Sequence, residues 1–371
     1  MTEPIAVFTA DNHLRPTTWG ECPELAGDAY YSLKQIVDYC REHALPLIQL
    51  GDLFDKAHPD SLSVGTYMYE IQRLHDRHIP FYYIEGNHDI ADPPWASLHP
   101  WAIHAGKFTA EGVNFLGIDY CTGSDFPAVM SHHADAIASA DVVLMHQAWA
   151  EIQTMGKHNA TMSQMPAGCV LLTGDYHVTL SVGEKAANGE PITAYSPGST
   201  SMQSLAESPE KVFGVLHSDL SVTWEKLKTR PFINAGKINT PAELDALITR
   251  MATPPIDCEE LPQQYQKPIL LVKYRDDIPD AYVRLVAAAG EQYYLFERPQ
   301  RVGVTEVVDM QDSGTAFDGL VTAIEELKAG SPAVAATAIR LLQSHDQEKT
   351  LGEIENEYRQ EYDSRHAETS G

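Results

Sequence analysis

The sequence predicts a layered α/β fold, followed by a smaller α/β unit and a helical C-terminal segment. Two observations carry that expectation. Through the first half, short apolar runs alternate with stretches whose apolar residues recur at helical spacing, the pattern of strands covered by helices. After LSVTWEKLKTRPFI the texture changes to a compact strand–helix–strand–helix–strand reading, and beyond about residue 315 it becomes amphipathic and helical.

Taken in order, PIAVFTA reads as a strand that ends at Asp11. DAYYSLKQIVDYCREH, from Asp28 to His43, is a helix by the spacing of its apolar residues. LPLIQL is the second strand, ending at Gly51; SVGTYMYEIQRLHDRH is the next helix and IPFYYIE the third strand. VNFLGID, ADVVLMH, GCVLLTG, ITAYSPGS and KVFGVLHSD are expected as further strands of a sandwiched sheet. In the smaller unit, TPAELDALITRMA starts at a Thr-Pro cap, KPILLVKYRD is a strand, IPDAYVRLVAAAG a helix closed by Gly290, and EQYYLFERPQ a strand. The expected divisions are 1–230, 231–310 and 311–371. FDGLVTAIEELKAG and AVAATAIRLLQSH supply the last segment's apolar stripe, which suits docking on the body or on a partner helix.

Composition narrows the class. A chain of 371 residues with 43% hydrophobic and 9% aromatic residues is globular and long enough for real cores. No apolar run approaches the roughly 18–20 residues of a membrane helix, and MTEPIAVFTA runs into a strand without a signal-peptide pattern. Five cysteines without a CxxC pair read as reduced packing residues of a cytoplasmic protein. The net charge of −26 repels nucleic acid and membranes at long range, so any DNA-acting reading must supply local cations, bound metals or a basic partner.

The chemistry lies at the strand ends. PIAVFTA is followed by Asp11-Asn12-His13, LPLIQL by GDLFD with Asp52, FYYIE by GNHD with Asn87, His88 and Asp89, ADVVLM by His146, and GCVLLT by GDYH with Asp175 and His177. One such cluster alone is ordinarily a turn or a helix cap. Five in chain order are not, because the carboxyl ends of strands in an α/β sheet lie along one edge, where ligands bind. Asp, His and Asn offer oxygen and imidazole donors suited to zinc, manganese or iron. Seven of them suffice for two divalent ions sharing one carboxylate, and such a pair, about 3.5–4 Å apart, can activate water and neutralise phosphate oxygens.

This ordered set resembles the calcineurin-like metallophosphoesterase family, whose pattern is D-x-H, GD-x-x-D/H, GNH-D/E, H, then GH-x-H. The resemblance spans roughly residues 5 to 200 and implies a four-layer α-β-β-α sandwich with a dinuclear centre. Carried over, one metal would take Asp11, His13, Asp52 and His177, and the other Asp52, Asn87, His146 and Asp175. His88 would be the catalytic histidine near the leaving oxygen, with Asp89 orienting its ring. GDYH departs from the family's GH-x-H: Asp175 stands where a histidine is expected. The harder donor set favours manganese, with magnesium the alternative, over zinc.

A second resemblance addresses the substrate. DNHL, GDLFD, GNHD and YSPGSTSMQSLAESPEKVFGVLH are similar to the SbcD-type nucleases, with Tyr195, Gly198, Ser199, Glu207 and Lys211 at matching places. It implies a 3′→5′ exonuclease on duplex DNA and an endonuclease on single strands or hairpins. It also implies a capping domain from about residue 231, a C-terminal segment that binds an SMC-like coiled-coil ATPase, and a homodimer. Arg15, Lys56 and His58, beside the metal loops, are candidates for phosphate contact, with a solvated surface the plainer reading; His132, His133 and Trp19 read as surface or loop packing. A stand-alone phosphatase or nucleotide phosphodiesterase, and a non-catalytic DNA-end or ATPase-binding scaffold, are the competing expectations.

Overall fold

The structure, a computed structural model, describes residues 2–20, 22–152, 158–252 and 260–301. A first compact unit runs Met1–Pro299; of the second, Gln300–Gly371, only residues 300 and 301 are described, so the expected C-terminal helices lie outside the described residues. The body is built from β1 (Pro4–Thr9), α1 (Asp28–His43), β2 (Leu47–Leu50), α2 (Ser61–His75), β3 (Phe81–Ile84), β4 (Ala102–His104), β5 (Lys107–Ala110) and β6 (Val113–Ile118). It continues with α3 (Phe126–His132), α4 (Ala134–Ala138), β7 (Val142–His146), β8 (Val170–Gly174), β9 (Leu180–Lys185), β10 (Pro191–Ser196), β11 (Val212–His217) and β12 (Val222–Lys226).

These strands form two six-stranded sheets, in the orders β12-β11-β1-β2-β3-β4 and β5-β6-β7-β8-β10-β9. In the first, β1 to β4 run parallel and β11 runs antiparallel to both its neighbours. In the second, β6, β7, β8 and β10 run parallel, with β5 and β9 antiparallel at the edges.

Strand alternation assigns the layers. Phe8, Ile48, Leu144 and Leu172 meet between the two sheets. Their neighbours Val7 and Leu47 face outward onto Leu33, Ile36 and Val37 of α1 and Tyr67, Ile71 and Leu74 of α2. On the far side Val143, Met145 and Leu171 face Phe126 and Met130 of α3 and Ile137 of α4. The result is the expected four-layer α-β-β-α sandwich. Ile36 is fully buried in it, and truncation to alanine is expected to cost about 2–5 kcal/mol. The start of α2 is fixed by Asp60, whose side chain accepts from the amides of Leu62 (2.9 Å) and Ser63 (3.0 Å), a cap worth about 1 kcal/mol.

The smaller unit contains β13 (Phe232–Ile238), α5 (Pro241–Met251), the one-turn α6 (Gln263–Gln266), β14 (Ile269–Arg275), α7 (Ala281–Ala289) and β15 (Tyr294–Gln300), in sheet order β13-β14-β15. Thr240 and Glu243 cap α5 reciprocally. Leu244, Leu247, Val272 and Leu285 lie in its own core. A separate cluster of Leu25, Ile269, Leu271 and Phe296 joins it to the body. Arg230, buried at this seam, donates to Asp28 (2.9 Å) and to the carbonyls of Gln264 and Lys267 (both 3.1 Å). Among the described residues no helix is long and apolar enough to cross a membrane.

Candidate metal centre

The carboxyl ends of β1, β2 and β3 in one sheet and of β7 and β8 in the other meet at one edge of the sandwich. Each strand hands its chain to a tight loop there, and several loops use a left-handed backbone at a residue other than glycine: Asp11 (φ 49°), His13 (43°), Asp52 (53°) and Asp175 (85°). That conformation costs roughly 1–2 kcal/mol per residue, and its concentration at one place marks a site held open by its surroundings. Two glycines permit the close approach. A Cβ on Gly51, itself at φ +89°, would lie 2.4 Å from His146 Nδ1, and one on Gly86 would lie 2.2 Å from Asp52 Oδ1.

Six of these side chains, Asp11, His13, Asp52, His146, Asp175 and His177, lie close together. His146 Nε2 lies 3.5 Å from Asp52 Oδ2, 3.7 Å from Asp175 Oδ1 and 3.9 Å from Asp11 Oδ1. His13 Nε2 lies 3.1 Å from His177 Nε2 and 3.6 Å from Asp52 Oδ2, and His177 Nε2 lies 3.9 Å from Asp11 Oδ1. Asp11, His13, Asp52 and His146 are all buried. Asp11, Asp52 and His146 form one set with metal-ligand spacing, Asp11, His13 and His177 another, and His13, Asp52 and His88 a third. Asp11 is common to the first two sets and Asp52 to the first and third.

The hydrogen bonds behind these atoms set them up as donors to a cation. His146 gives its Nδ1–H to the Leu50 carbonyl (2.7 Å), which leaves the Nε2 lone pair facing the carboxylates. His177 gives its Nδ1–H to Glu207 Oε1 (3.1 Å), which likewise frees Nε2. Glu207 is in turn held by Lys211 Nζ (2.6 Å), the Ser199 hydroxyl (3.0 Å) and the Gln203 amide (3.1 Å). His146 Nε2 and Asn87 Oδ1 are both buried without a hydrogen-bond partner. Buried polar atoms are rarely left unpaired, and an unpaired His146 Nε2 beside three carboxylates fits a divalent cation.

Electrostatics point the same way. Burial pushes the Asp11 carboxyl up to about 6 despite the nearby histidines. Burial also works against charge on His146, yet Asp52, Asp11 and Asp175 outweigh it and lift the imidazole to about 10. Burial would raise Asp52 as well, but His146, His13 and His88 hold it well below the usual carboxylate range. His13 is driven down to about 3, chiefly by burial, and so stays a neutral imidazole. The pocket carries surplus negative charge that a proton on His146 offsets in part. A divalent ion would replace that proton.

Around His88 the structure differs from the sequence reading. Its Nδ1 lies 2.7 Å from the main-chain carbonyl of Asp55, which can only accept, so Nδ1 carries the proton and Nε2 faces Asp52 Oδ2 at 3.9 Å. Asp55, not Asp89, orients the ring. Asp89 instead accepts from the amides of Leu53 (3.2 Å), Phe54 (3.1 Å) and Gly86 (3.1 Å), tying the GDLFD loop to the GNHD loop. A main-chain acceptor leaves no trace in residue identity, so nothing in the motif could have named it.

Other candidates fall into place. Arg15 is engaged by Asp55 (2.8 Å) and Gln203 (2.5 Å), whereas Lys56 and His58 are solvent-exposed. Trp19 packs edge-on against Phe296, and His132 and His133 contact each other. Tyr195 lies on β10 near Trp224, while Ser199, Glu207 and Lys211 gather behind His177. Away from the centre, Glu85, His104 and Asp119 also cluster, and the His104–Asp119 ion pair (2.9 Å) accounts for them. Gln203 carried no sequence signal.

Comparison with known proteins agrees with this geometry. Over 63 residues, 17% of this chain, the sequence is 38% identical to the DNA double-strand break repair protein Mre11 of Sulfolobus acidocaldarius, a match that spans 16% of that protein's length. Residues 6–168 match the calcineurin-like phosphoesterase family, a stretch that includes every candidate ligand except Asp175 and His177. Residues 6–168 therefore carry a calcineurin-like metallophosphoesterase domain, from a family of metal-dependent hydrolases.

Proposed function

We propose that the chain is a metal-dependent DNA nuclease, a 3′→5′ exonuclease on duplex and an endonuclease on single-stranded or hairpin DNA. The observation that carries this reading is the buried Asp11–Asp52–His146 convergence in a chain similar over one stretch to a DNA break-repair protein. Asp11, His13, Asp52 and His177 would hold one ion, and Asp52, Asn87, His146 and Asp175 the other, manganese suiting the oxygen-rich set best and magnesium next. When bound, the ions supply an activated water nucleophile and neutralise the phosphate oxygens. His88 acts at the leaving oxygen from Nε2. Because its Nδ1–H is committed to Asp55, only the imidazolium can donate there. Asp89 supports catalysis by fixing the two loops that carry Asp52 and His88. Residues 1–230 would form the nuclease domain, 231–310 a capping domain, and 311–371 the surface for an SMC-like ATPase that grips DNA where a chain of net charge −26 cannot. The active assembly would be a cytoplasmic homodimer with that ATPase.

The same charge favours a second reading, a phosphodiesterase of small nucleotides that needs no basic groove. Turnover in manganese of a small chromogenic diester, beside labelled duplex and hairpin DNA, separates the two. Cleavage of DNA supports the nuclease, and cleavage of the diester with DNA untouched removes it. His88→Ala is expected to abolish turnover with metals still bound; wild-type turnover in that variant contradicts the role given to His88.

A further inference from the structure

Arg15 follows β1 in the loop that carries Asp11 and His13, and its main chain is already tied to the Asp52 loop: the Leu14 amide donates to the Leu53 carbonyl (2.9 Å). Its guanidinium reaches in two directions. Nη1 meets Asp55 Oδ1 at 2.8 Å, and Nη2 donates to Gln203 Oε1 at 2.5 Å, while Nε is buried with no partner. What stands behind each contact matters more than the contacts themselves. Asp55 is the residue whose main-chain carbonyl holds His88 Nδ1 at 2.7 Å. Gln203 donates its main-chain N–H to Glu207 Oε2 (3.1 Å), and Glu207 Oε1 holds His177 Nδ1 (3.1 Å).

We propose that Arg15 is a positioning residue that locks the two imidazoles together through Asp55 on one side and Gln203–Glu207 on the other. It fixes the direction in which His88 and His177 present Nε2. The inference deepens the proposed metal-dependent hydrolysis of phosphodiesters, DNA included, and rests on it for its kinetic part alone. It replaces phosphate contact as the role of this cation: both Nη groups face protein acceptors. A planar fork can serve two acceptors along different directions, which a lysine ammonium cannot reproduce at that spacing. Misplacing a catalytic group by about 1 Å costs up to ~100-fold in rate, so the brace bears on kcat rather than on substrate affinity.

The test uses the full chain as wild type, Arg15→Gln, Arg15→Lys, Gln203→Met and Arg15→Gln/Gln203→Met. Imidazole 15N spectra of the metal-free proteins, with His88 assigned by its loss in His88→Ala, should show Nδ1-protonated His88 in wild type. That signature should be lost in both Arg15 variants, with thermal unfolding still cooperative in each. With manganese, the diester kcat should fall about 10- to 100-fold in both Arg15 variants, with KM within about twofold and metal stoichiometry unchanged. The double variant should be no worse than Arg15→Gln, as expected for two links of one chain. Unchanged His88 and His177 spectra in Arg15→Gln overturn the proposal, as do full rescue by Arg15→Lys, a raised KM at unchanged kcat, or losses that multiply. A wild type inert on every phosphodiester would remove the phosphodiesterase reading, and the imidazole spectra would still decide the brace.

Discussion

Replacing Glu207 by glutamine tests the support behind the centre without touching a proposed ligand. Lys211 is buried, and its ammonium is held by Glu207 Oε2 at 2.6 Å and the Ser199 hydroxyl at 2.8 Å. An amide keeps one acceptor oxygen and turns an NH₂ toward either the His177 Nδ1–H or the cluster of Lys211, Ser199 and Gln203. In both orientations a donor faces a donor, and the lysine loses its nearest counter-charge. Stranding one partner of a buried pair costs about 3–5 kcal/mol. At about 1.6 °C per kcal/mol for a unit the size of Met1–Pro299, thermal unfolding in chelator should drop by roughly 5–8 °C. Replacing the carboxylate behind His177 Nδ1 by a neutral amide should also weaken metal binding by about 10- to 100-fold. Glu207→Gln/Lys211→Met removes the stranded charge and should recover most of the stability but not the metal affinity. A melting temperature within about 1 °C of wild type, with metal affinity unchanged, would refute the argument.

Four further outcomes are expected. Manganese at 100-fold over its dissociation constant should stabilise the protein by about 2.7 kcal/mol, read as a rise in melting temperature that chelator reverses. His146 has a folded-state value raised from 6.5 to about 10, so through it the metal-free fold binds an extra proton and loses stability as pH rises across that range; at lower pH the raised Asp11 acts in the same sense but the lowered His13 opposes it. Saturating manganese should flatten that decline; equal slopes with and without metal would count against a cation among these groups. Gly51→Ala, at φ +89° and with its new Cβ 2.4 Å from His146 Nδ1, should cost roughly 2–5 kcal/mol and weaken metal binding; a neutral substitution would show that His146 is not held by that contact. Asp175→His should fold, since histidine tolerates positive φ, and should move the preference from manganese toward zinc in competition dialysis.

The site was legible in the sequence because each strand delivers its chemistry within a few residues. Asp11, Asp52, Asn87 and Asp175 each directly follow or nearly follow an apolar run, and the parallel topology sends those ends to one edge. The inner strands were legible for the same reason: four buried residues in a row, as in LIQL, are hard to mistake. The short, half-exposed β4 and β5 at sheet margins carry no apolar run and left no signal. What stayed hidden was contact made by main chain or across long separations. The Asp55 carbonyl under His88 has no residue signature, and the Arg15–Gln203 link joins positions 188 residues apart. Glu207 and Lys211 showed as matches to a family, but their place behind His177 is a property of the folded loops.

The centre itself is tested most directly by anomalous diffraction from a crystal soaked in manganese. Two peaks per chain are expected, sharing Asp52, with Asp11, His13 and His177 around one and Asn87, His146 and Asp175 around the other. No peak among these seven side chains, or a single peak that leaves His146 and Asp175 without a metal, would contradict the dinuclear site on which the hydrolytic reading rests.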